Sequence, residues 1–486
     1  MKKRIIFFFL TLLLIAILFT ACSNTENNSD SNTVEDVTET EGETTTAGPW
    51  VFGDIWQTLN DDLPNEDFGG AAFNILTMDY EWHDFTVIAD EMNGDVLNDA
   101  IFKRTSEIEE KYNVDITSTL YTDFWSTAYV KSLVASGDTT YNLIWMIDRF
   151  ALSAAMENCL YPLMDIPYVD LSRPYWGGDS IISAMTINST TYFGVPDYNL
   201  IGYNIASDIM FNKTLHSALS LENIYDLVLD GKWTYDKLLT MSQAAVMDLN
   251  GNGEKDLEDQ FGIACVQPYL VYNFWNSANV FTVVKDSNDL PNYALPGNEK
   301  ANDIYEKVFK DYYDPGIFMK SNEIELFQSG RVLFQMARLW DVLDLRDMKD
   351  DYGLLPLAKY DEKQDEYYTP MESLFFSVVP TTVTNLDFTG IILEAMACAS
   401  YNTVIPEYYE KCLTTKFVRD DESAEVIGLI LKNRVVDFGN VYFSDDINPL
   451  VFSDIKSDYV SSVEKLSSKI NSNLDKAIEF FQQNKR

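Results

Sequence analysis

The sequence predicts an α/β fold arranged in two lobes. The chain has 486 residues, enough for two or three domains of ordinary size, and 46% of them are apolar, enough to fill sizeable cores. Segments with the pattern of strands alternate with segments with the pattern of helices, first near the N-terminus and again in the middle of the chain. This alternation is typical of parallel sheets whose faces are covered by helices.

The first lobe is predicted from five consecutive segments. The stretch FNILTMDY, residues 73–80, has the apolar run of a buried strand. A helix follows, because Val96, Ala100 and Ile108 lie at helical spacing, and the alternating VDITSTLY predicts the next strand. STAYVKSLVASGD then predicts a helix that ends at Gly137, and YNLIWMI predicts a third strand.

The middle of the chain repeats the pattern. TYFGVPDYNLIGYNIASDIMFNKTLH predicts two extended segments around Pro196, and GKWTYDKLLTMSQAAV predicts a helix. YGLLPLAKYDEKQDEYYTPMESLFFSVVPTT predicts a further strand pair. The C-terminal segment predicts an amphipathic helix with an apolar stripe through Val463, Ile470 and Leu474, which we expect to pack on its own domain.

The first 22 residues predict a secretion signal. MKKR is basic, IIFFFLTLLLIAILF is apolar, and small residues precede Cys22. The pattern resembles a bacterial lipoprotein signal, in which Cys22 becomes the lipidated first residue; an uncleaved membrane anchor is the alternative. Residues 23–67 are predicted to be a disordered acidic tether and lead-in. We expect the body outside the cytoplasmic membrane, lipid-anchored on its extracellular face or in the periplasm.

Composition argues against several functions. The chain has 35 basic and 76 acidic residues, a net charge of -41, which repels nucleic acid. His83 and His216 stand neither in a metal-binding pair nor beside a nucleophile, so a His-based catalytic triad is not expected. The cysteines after the signal are widely spaced and predict buried thiols, with a disulfide as the alternative: Cys159, Cys265, Cys398 and Cys412.

Polar and aromatic residues follow two of the predicted strands. Asp79 and Tyr80 end the first strand, Trp82 comes just after it, and Trp145 and Asp148 end a later one. In open parallel sheets, ligands lie beyond the carboxyl ends of the strands, because loops and helix N-termini meet there. We therefore expect these residues to face one crevice.

The order of four motifs resembles the family 1 extracellular solute-binding proteins, the lipoprotein receptors of bacterial import systems. The motifs are YFGVPDYN followed by IMFNKTLH, then GKWTYDKL, FQSGRVLFQMARLW and YGLLPL, and the resemblance covers roughly Phe68 to the C-terminus. It implies a two-lobed, periplasmic-binding-protein-like fold of type II with a hinge. The implied lobes are 68–197 with about 371–435, and 198–370 with about 436–486. Crossings are expected near 196–205, near 369–374 and once more in the C-terminal third.

Within that family, WMIDRF resembles a maltose-binding motif whose Trp and Asp contact sugar, which implies ligand contacts for Trp145 and Asp148. An ion pair between Asp148 and Arg149 that holds the loop is the alternative. QPYLVYNFW resembles an acid-Pro-Tyr stretch of the same relatives, with Gln267 in place of Glu and Tyr269 keeping the aromatic ring.

Three further residues complete the expected ligand site. Trp340 matches the Trp that closes the second-lobe motif, and Arg338 replaces the usual Gly two places before it. Trp275 follows the same stretch as Tyr269. Core packing is the alternative role for each of these aromatic residues.

The resemblance implies a monomeric, non-enzymatic receptor that captures a carbohydrate, in particular an oligosaccharide, between two lobes. It would deliver the sugar to the transmembrane permease of an ABC transporter. Sugar rings have an apolar face and hydroxyl edges, so a cleft for them needs aromatic walls and planar polar groups. The alternatives are a secreted glycosidase, which needs only two suitably spaced carboxylates, and a sugar receptor or adhesin that serves no transporter.

A separate motif predicts a calcium loop. DLNGNGEKDLED fits the calcium-loop template, with Gly253 at the sharp turn and Asp instead of Glu at the last position. The expected ligands of a structural Ca²⁺ supply side-chain or backbone oxygens: Asp248, Asn250, Asn252, Glu254, Asp256 and Asp259. An Asx-rich surface turn is the alternative, and no other cofactor is expected.

Overall fold

A computed structural model describes residues 58–79, 86–265, 271–309, 317–319, 324–371, 373–409, 421–452 and 458–484. The predicted signal with Cys22 and most of the tether lie outside these ranges. Four of the expected ligand-site residues also lie outside them: Tyr80, Trp82, Gln267 and Tyr269.

Strands and helices alternate along the described chain. The strands are β1 Ala71–Met78, β2 Val114–Tyr121, β3 Leu143–Ile147, β4 Leu160–Tyr161, β5 Ser207–Asn212, β6 Phe261–Cys265, β7 Val283–Lys285, β8 Pro291–Tyr293, β9 Phe318–Met319, β10 Val332–Arg338, β11 Tyr352–Leu355, β12 Thr369–Pro370, β13 Phe375–Pro380 and β14 Arg434–Val435. The helices are α1 Val96–Tyr112, α2 Ala128–Ser136, α3 Asp148–Met156, α4 Asp179–Met185, α5 Ile201–Asn204, α6 Lys213–Ala218, α7 Ile224–Leu229, α8 Tyr235–Ala245, α9 Asn273–Ser277, α10 Glu299–Ile304, α11 Glu325–Gln328, α12 Leu386–Ala399, α13 Ile405–Glu407, α14 Asp421–Lys432, α15 Phe438–Phe452 and α16 Tyr459–Gln483.

The first five-stranded sheet has the order β2-β1-β3-β13-β4. Strand β1 runs parallel to β2 and to β3, as the alternating pattern predicts. Strand β13 comes from much later in the chain and runs antiparallel to β3 and to β4. The sheet is therefore mixed, because a late strand is inserted between β3 and β4.

The second five-stranded sheet has the order β11-β5-β10-β6-β9. Strands β10 and β6 are parallel, as are β6 and β9, whereas β5 is antiparallel to both of its neighbours. The strand pair predicted from YGLLPL to SVVPTT does not form. Strand β11 lies at the edge of the second sheet and β13 lies inside the first, so this segment connects the two sheets.

Three chain segments between the two sheets lie side by side. Ala206 forms an antiparallel bridge with Met371, and β12 pairs in parallel with β14. These positions agree with the crossings that the sequence predicts. The segment before β5 is helical at α5 rather than extended throughout, which differs from the prediction around Pro196.

Side chains tie the crossing segments together. The Asp197 carboxylate, which is 2% exposed, accepts a hydrogen bond from the Tyr203 hydroxyl at 2.7 Å. The Arg434 guanidinium lies 4.1 Å from the Tyr203 ring centroid and donates from Nη1 to the Gly202 carbonyl at 2.7 Å. Burial raises the pKa of Asp197 to about 7, although the Tyr203 hydrogen bond and Arg434 oppose the change.

A second buried carboxylate anchors the chain that follows the third crossing. Asp437 accepts hydrogen bonds from the Thr282 amide at 2.7 Å and from the Gly439 amide at 2.8 Å. It also accepts from the Tyr272 hydroxyl and from the Asn276 side chain at 3.3 Å. The network fastens the start of α15 to the β7 region of the second lobe.

The C-terminal third contacts both lobes. Helix α14 packs on β11 of the second sheet, within a range that the sequence analysis assigns to the first lobe. Helix α15 packs on α3 of the first lobe, and α16 packs on β8, within a range assigned to the second. These segments add no strand to either five-stranded sheet, so the strand pattern does not determine which lobe they join.

The long helices bury their apolar residues as predicted. In α16, Val463, Ile470 and Leu474 are buried. Among the described residues one helical stretch, 386–407, is long and apolar enough to cross a membrane, but 78% of its most apolar window is buried inside the protein. That stretch begins with α12, which packs against α1 as a core helix.

The described cysteines are buried free thiols, as predicted: Cys159, Cys265 and Cys398. Cys412 lies outside the described residues.

Candidate functional site

The carboxyl ends of the parallel strands in both sheets border the crossing segments. Asp148, the first residue after β3, exchanges backbone contact with Leu374 beside the second crossing, at 2.8 Å from its amide to the Leu374 carbonyl. Leu339, the first residue after β10, donates from its amide to the carbonyl of Ala206 at 3.0 Å. The two edges therefore meet at the crossings, as expected for a ligand crevice.

Asp148 fastens the end of β3 to the segment that enters β13. Its side chain is buried and accepts hydrogen bonds from the Arg149 amide at 2.6 Å and from the Leu374 amide at 2.9 Å. Burial raises the pKa of Asp148 to about 7, and the Arg149 and Leu374 contacts oppose the change. The Arg149 side chain lies 3.9 Å from Asp445, so Asp148 holds this loop through backbone amides.

A cavity of about 290 Å³ lies at the carboxyl edge of the first sheet. Its walls come from the segment between β1 and α1, from the first turns of α1, from β3 and from the first crossing at α5. The lining residues are Thr86, Asn93, Asp95, Leu97, Asn98, Ile101, Trp145, Leu200, Ile201 and Asn204. The lining therefore combines aliphatic and aromatic surface with amide, hydroxyl and carboxylate groups, which is the composition of small-molecule sites.

Trp145 forms one wall of this cavity and is 1% exposed. Its backbone carbonyl accepts a hydrogen bond from the Tyr121 hydroxyl at 2.8 Å, which holds β3 against the end of β2. Its indole N–H is buried and donates to no described residue. An unsatisfied buried donor costs about 1–3 kcal/mol, so a donor at a cavity wall is suited to a polar ligand atom.

Two polar groups of the cavity wall are already engaged. The Asp95 carboxylate caps α1 by accepting from the amides of Leu97 at 3.1 Å and Asn98 at 3.2 Å. The side-chain carbonyl of Asn204 accepts from the Tyr408 hydroxyl. These bonds fix the shape of the wall and leave the Asn204 amide nitrogen on the crossing segment as a further polar atom at the wall.

Arg338 and Trp340 lie together at the carboxyl edge of the second sheet. The Arg338 guanidinium stands 4.3 Å from the Trp340 ring centroid and forms an ion pair with Asp341 at 3.2 Å. Trp340 opens the 3-10 helix Leu339–Leu345, which contacts α5. Both side chains are buried, with Trp340 5% exposed, so the stacked pair closes this edge of the second sheet.

Asp208 is a buried carboxyl group beside this pair that the sequence analysis did not select. It lies on β5 opposite Ala337, is fully buried, and neither of its carboxylate oxygens accepts a hydrogen bond from any described residue. Burial and the Asp341 carboxylate raise the pKa of Asp208 well above its usual range, although Arg338 opposes this. No sequence pattern marks Asp208, because its strand has the apolar appearance of a core strand.

The two remaining expected residues that the structure describes lie apart from the cavity. Asp79 is exposed just after β1, where its amide donates to the Tyr121 carbonyl at 2.9 Å. Trp275 is fully buried in the second lobe, stacks edge-on with Phe309 at 4.7 Å, and donates from its indole N–H to the Ala301 carbonyl at 3.0 Å. Trp275 thus occupies the core position that the sequence analysis named as its alternative.

Sequence reasoning missed most of the cavity wall. Asn93, Asp95 and Asn98 come from the run EMNGDVLND, which precedes and begins α1. The signal in the sequence was a cluster of short polar side chains directly after the first strand, which marks a helix N-terminus at a sheet's carboxyl edge.

The loop predicted to bind calcium forms a compact, exposed turn. Asp248 accepts hydrogen bonds from the amides of Gly251 at 2.6 Å and Gly253 at 2.9 Å, and Gly253 has a φ of 78°. Asp259 is fully buried and accepts from the amide of Leu249 at 3.0 Å. The donor set, oxygen atoms in the calcium-loop order, fits a hard cation.

Other contacts in the loop engage its central carboxylate. Asp256 accepts from the side-chain amides of Asn250 at 3.2 Å and Asn252 at 2.8 Å, and its pKa is lowered by a backbone hydrogen bond from Glu258 and by these amides. Within the described ranges no group of three or more His, Cys, Asp or Glu side chains is close enough together to hold a metal.

No protein-family model and no curated protein matches this chain in sequence. Solved structures match it in fold. UspC of Mycobacterium tuberculosis is 12% identical, with a TM-score of 0.55 over 82% of this chain and 99% of that one. The ABC substrate-binding protein Lmo0181 of Listeria monocytogenes, in complex with cycloalternan, is 11% identical, with a TM-score of 0.52 over 84% and 99%.

A third match is the maltose/maltodextrin-binding domain MalE of Bdellovibrio bacteriovorus bound to maltotriose, 10% identical, with a TM-score of 0.51 over 83% of this chain and 100% of that one. At these identities the likeness is one of fold. It confirms the predicted two-lobed, periplasmic-binding-protein-like α/β architecture.

Proposed function

We propose that this protein is an extracellular solute-binding protein that captures a carbohydrate between its two lobes. In this proposal it acts as a monomer, held to the outer face of the cytoplasmic membrane by lipid on Cys22, and passes its ligand to the permease of an ABC transporter. The lipoprotein-like signal supports the anchor, and the fold supports the binding role.

The observation that carries the proposal is the buried Trp145 indole N–H at the wall of a 290 Å³ cavity beside the crossings. A cavity of this size suits a small polar molecule or one end of a longer one. The wall offers flat apolar surface from the indole and hydrogen-bonding groups from Asn93, Asn98 and Asn204. That combination matches the apolar face and hydroxyl edges of a sugar ring.

The solved structures agree with a sugar as the ligand class, since the Listeria protein is in complex with cycloalternan and the Bdellovibrio domain with maltotriose. Glycoside hydrolysis needs two carboxyl groups, about 5–5.5 Å or about 6.5–9.5 Å apart. Among the described residues of the cavity wall Asp95 is the one carboxylate, and it caps α1. The wall therefore favours binding over hydrolysis.

The proposal is tested with protein that begins after Cys22. A panel of mono- and oligosaccharides is screened by thermal shift, affinities are measured by calorimetry, and the recovered sugar is analysed by chromatography. We expect reversible binding of a sugar that is recovered intact. Release of shorter sugars would instead identify a glycosidase, and the absence of binding across the panel would contradict the proposal.

Trp145→Phe gives a sharper test, because it keeps an aromatic ring in the wall and removes the N–H. We expect affinity to fall about 10-fold, the value of one hydrogen bond to a ligand. Trp275→Phe is the matched control: its N–H donates to Ala301 in the core, so it should lower stability and leave affinity unchanged. Equal affinity of Trp145→Phe and wild type would remove Trp145 from the site.

We further propose that the 248–259 loop holds a structural Ca²⁺ through Asp248, Asn250, Asn252, Glu254, Asp256 and Asp259. A bound ion would stiffen the loop that precedes β6 and would take no part in sugar binding. We expect a chelator to lower the melting temperature of wild type but not of Asp248→Ala, with sugar affinity unchanged. Equal melting with calcium and with chelator would contradict this.

A further inference from the structure

One tryptophan of the described chain is exposed. Trp125 is 53% exposed, whereas the other tryptophans of the described ranges are at most 5% exposed: Trp145, Trp176, Trp233, Trp275 and Trp340. Exposing a large aromatic ring forgoes the free energy of its burial, which for side chains of this kind is about 1.5–3 kcal/mol. An exposed indole is therefore a reason to examine its surroundings for a ligand.

Trp125 stands at the carboxyl edge of the first sheet. It follows the last residue of β2 by four positions, and β2, β1 and β3 are parallel neighbours whose carboxyl ends lie together. A series of aromatic contacts connects it to the sheet. Its ring lies 5.3 Å from that of Phe124, which lies 6.0 Å from Tyr121, whose hydroxyl donates to the carbonyl of Trp145.

A guanidinium group lies against the Trp125 ring. Arg149, two residues after β3, has its guanidinium carbon 5.7 Å from the Trp125 ring centroid and 5.8 Å from that of Phe150. Its Nε–H is buried and donates to no described residue. Its ion pair with Asp445 is long, at 3.9 Å, so the guanidinium retains hydrogen-bonding capacity for a ligand.

Asp445 adds an acceptor from a different part of the chain. Its side chain is 92% exposed and projects from α15, just beyond the non-helical Phe443 that kinks this helix. Helix α15 packs on α3, and this contact places Asp445 within reach of Arg149. A flat apolar face, a fork of donors and a carboxylate acceptor thus meet at one edge of the sheet.

We propose that Trp125, Arg149 and Asp445 form an outer sugar subsite at the lip of the crevice. In it the indole stacks on the face of one pyranose ring, while the guanidinium and the carboxylate bind its hydroxyl groups. The inference rests on the proposed carbohydrate-binding function and deepens it, since the inner cavity holds one end of the ligand and the outer subsite binds a further ring. The substrate class it selects is therefore oligosaccharides over monosaccharides.

The test compares sugars of increasing length by calorimetry, using glucose, maltose and maltotriose, cellobiose and cellotriose, and xylobiose and xylotriose. We expect Trp125→Ala to weaken trisaccharide binding about 10-fold, as stacking on an aromatic ring would, while Trp125→Phe retains most of the affinity. Asp445→Asn should weaken the same sugars by a few-fold. The matched control is Tyr168→Ala, which removes another exposed aromatic ring, 47% exposed, and should leave affinity unchanged.

The outcomes separate the two proposals. Wild-type protein that binds none of these sugars overturns the carbohydrate function and the outer subsite together. Wild-type protein that binds, with equal affinity in Trp125→Ala for every chain length, overturns the outer subsite alone. Loss of binding that is the same for glucose and for the trisaccharides also overturns it, because an outer ring would then not be the group that Trp125 contacts.

Discussion

Replacing Asp197 by Asn should make the protein more stable at pH 8 and leave its stability near pH 4 almost unchanged. Asp197 lies at the first crossing with one oxygen accepting from Tyr203, and its other oxygen accepts from no described residue. Asn keeps the acceptor for the Tyr203 hydroxyl and replaces the other oxygen by a neutral amide. The substitution therefore removes the titration with little change in shape.

The magnitude follows from the pKa of Asp197, which burial raises from 3.8 to about 7. Because the folded state holds the proton more tightly than the unfolded state, this group's contribution is fully present below pH 3.8. It is lost as the pH rises through about 7. At about 1.36 kcal/mol per pKa unit, wild type loses up to about 4 kcal/mol of unfolding free energy across this window. Asp197→Asn does not lose it.

The assay is urea denaturation followed by tryptophan fluorescence between pH 4 and pH 8.5, for wild type and Asp197→Asn. The exposed Asp138 provides a control, because its pKa is lowered by hydrogen bonds from Thr140, so Asp138→Asn should show a small effect of opposite sign. A difference between wild type and Asp197→Asn that is the same at both ends of the pH range would refute the reasoning. Lower stability of Asp197→Asn at pH 8 would refute it as well.

Two further substitutions test the packing. Gly390→Ala in α12 would place a methyl group on the Pro167 carbonyl oxygen, a backbone atom, so we expect a loss of about 2 kcal/mol or more in thermal denaturation. An unchanged melting temperature would contradict this packing of α12. Asp437→Asn would point an amide N–H at one of the donors that the carboxylate now accepts, and we expect a loss on the order of 3 kcal/mol in urea denaturation. A variant as stable as wild type would show that the Asp437 network does not anchor the third crossing.

The strand and helix pattern of the first lobe was predictable because each element has a single apolar period. The stretches 73–80, 114–121 and 143–147 differ from β1, β2 and β3 by at most two residues at one end. Pairing over long range was not predictable. Strand β13 pairs with β3 and β4, and no local feature of SLFFSVVP distinguishes that arrangement from a hairpin with β11.

The candidate site was predictable in its place and less so in its residues. Trp145 lies at the carboxyl edge and on the cavity wall, because a strand end is visible in sequence. The orientation of a side chain is not visible there: Trp275 points into the core, and Trp125 at the end of β2 points to solvent. Periodicity reports which face of an element is apolar, and both residues stand outside regular strands, where that rule is silent.

The strand order of the first sheet has a consequence for how the chain assembles. Strand β4, at residues 160–161, hydrogen-bonds in the sheet to β13, which begins at Phe375. The intervening chain contains every described strand of the second sheet, from β5 to β11. The second lobe can therefore fold while the first still lacks a central strand, and closing so long a loop is slow. During export the half-built first lobe must wait with one side of β3 unpaired, so this edge is where misassembly of the newly secreted chain would begin.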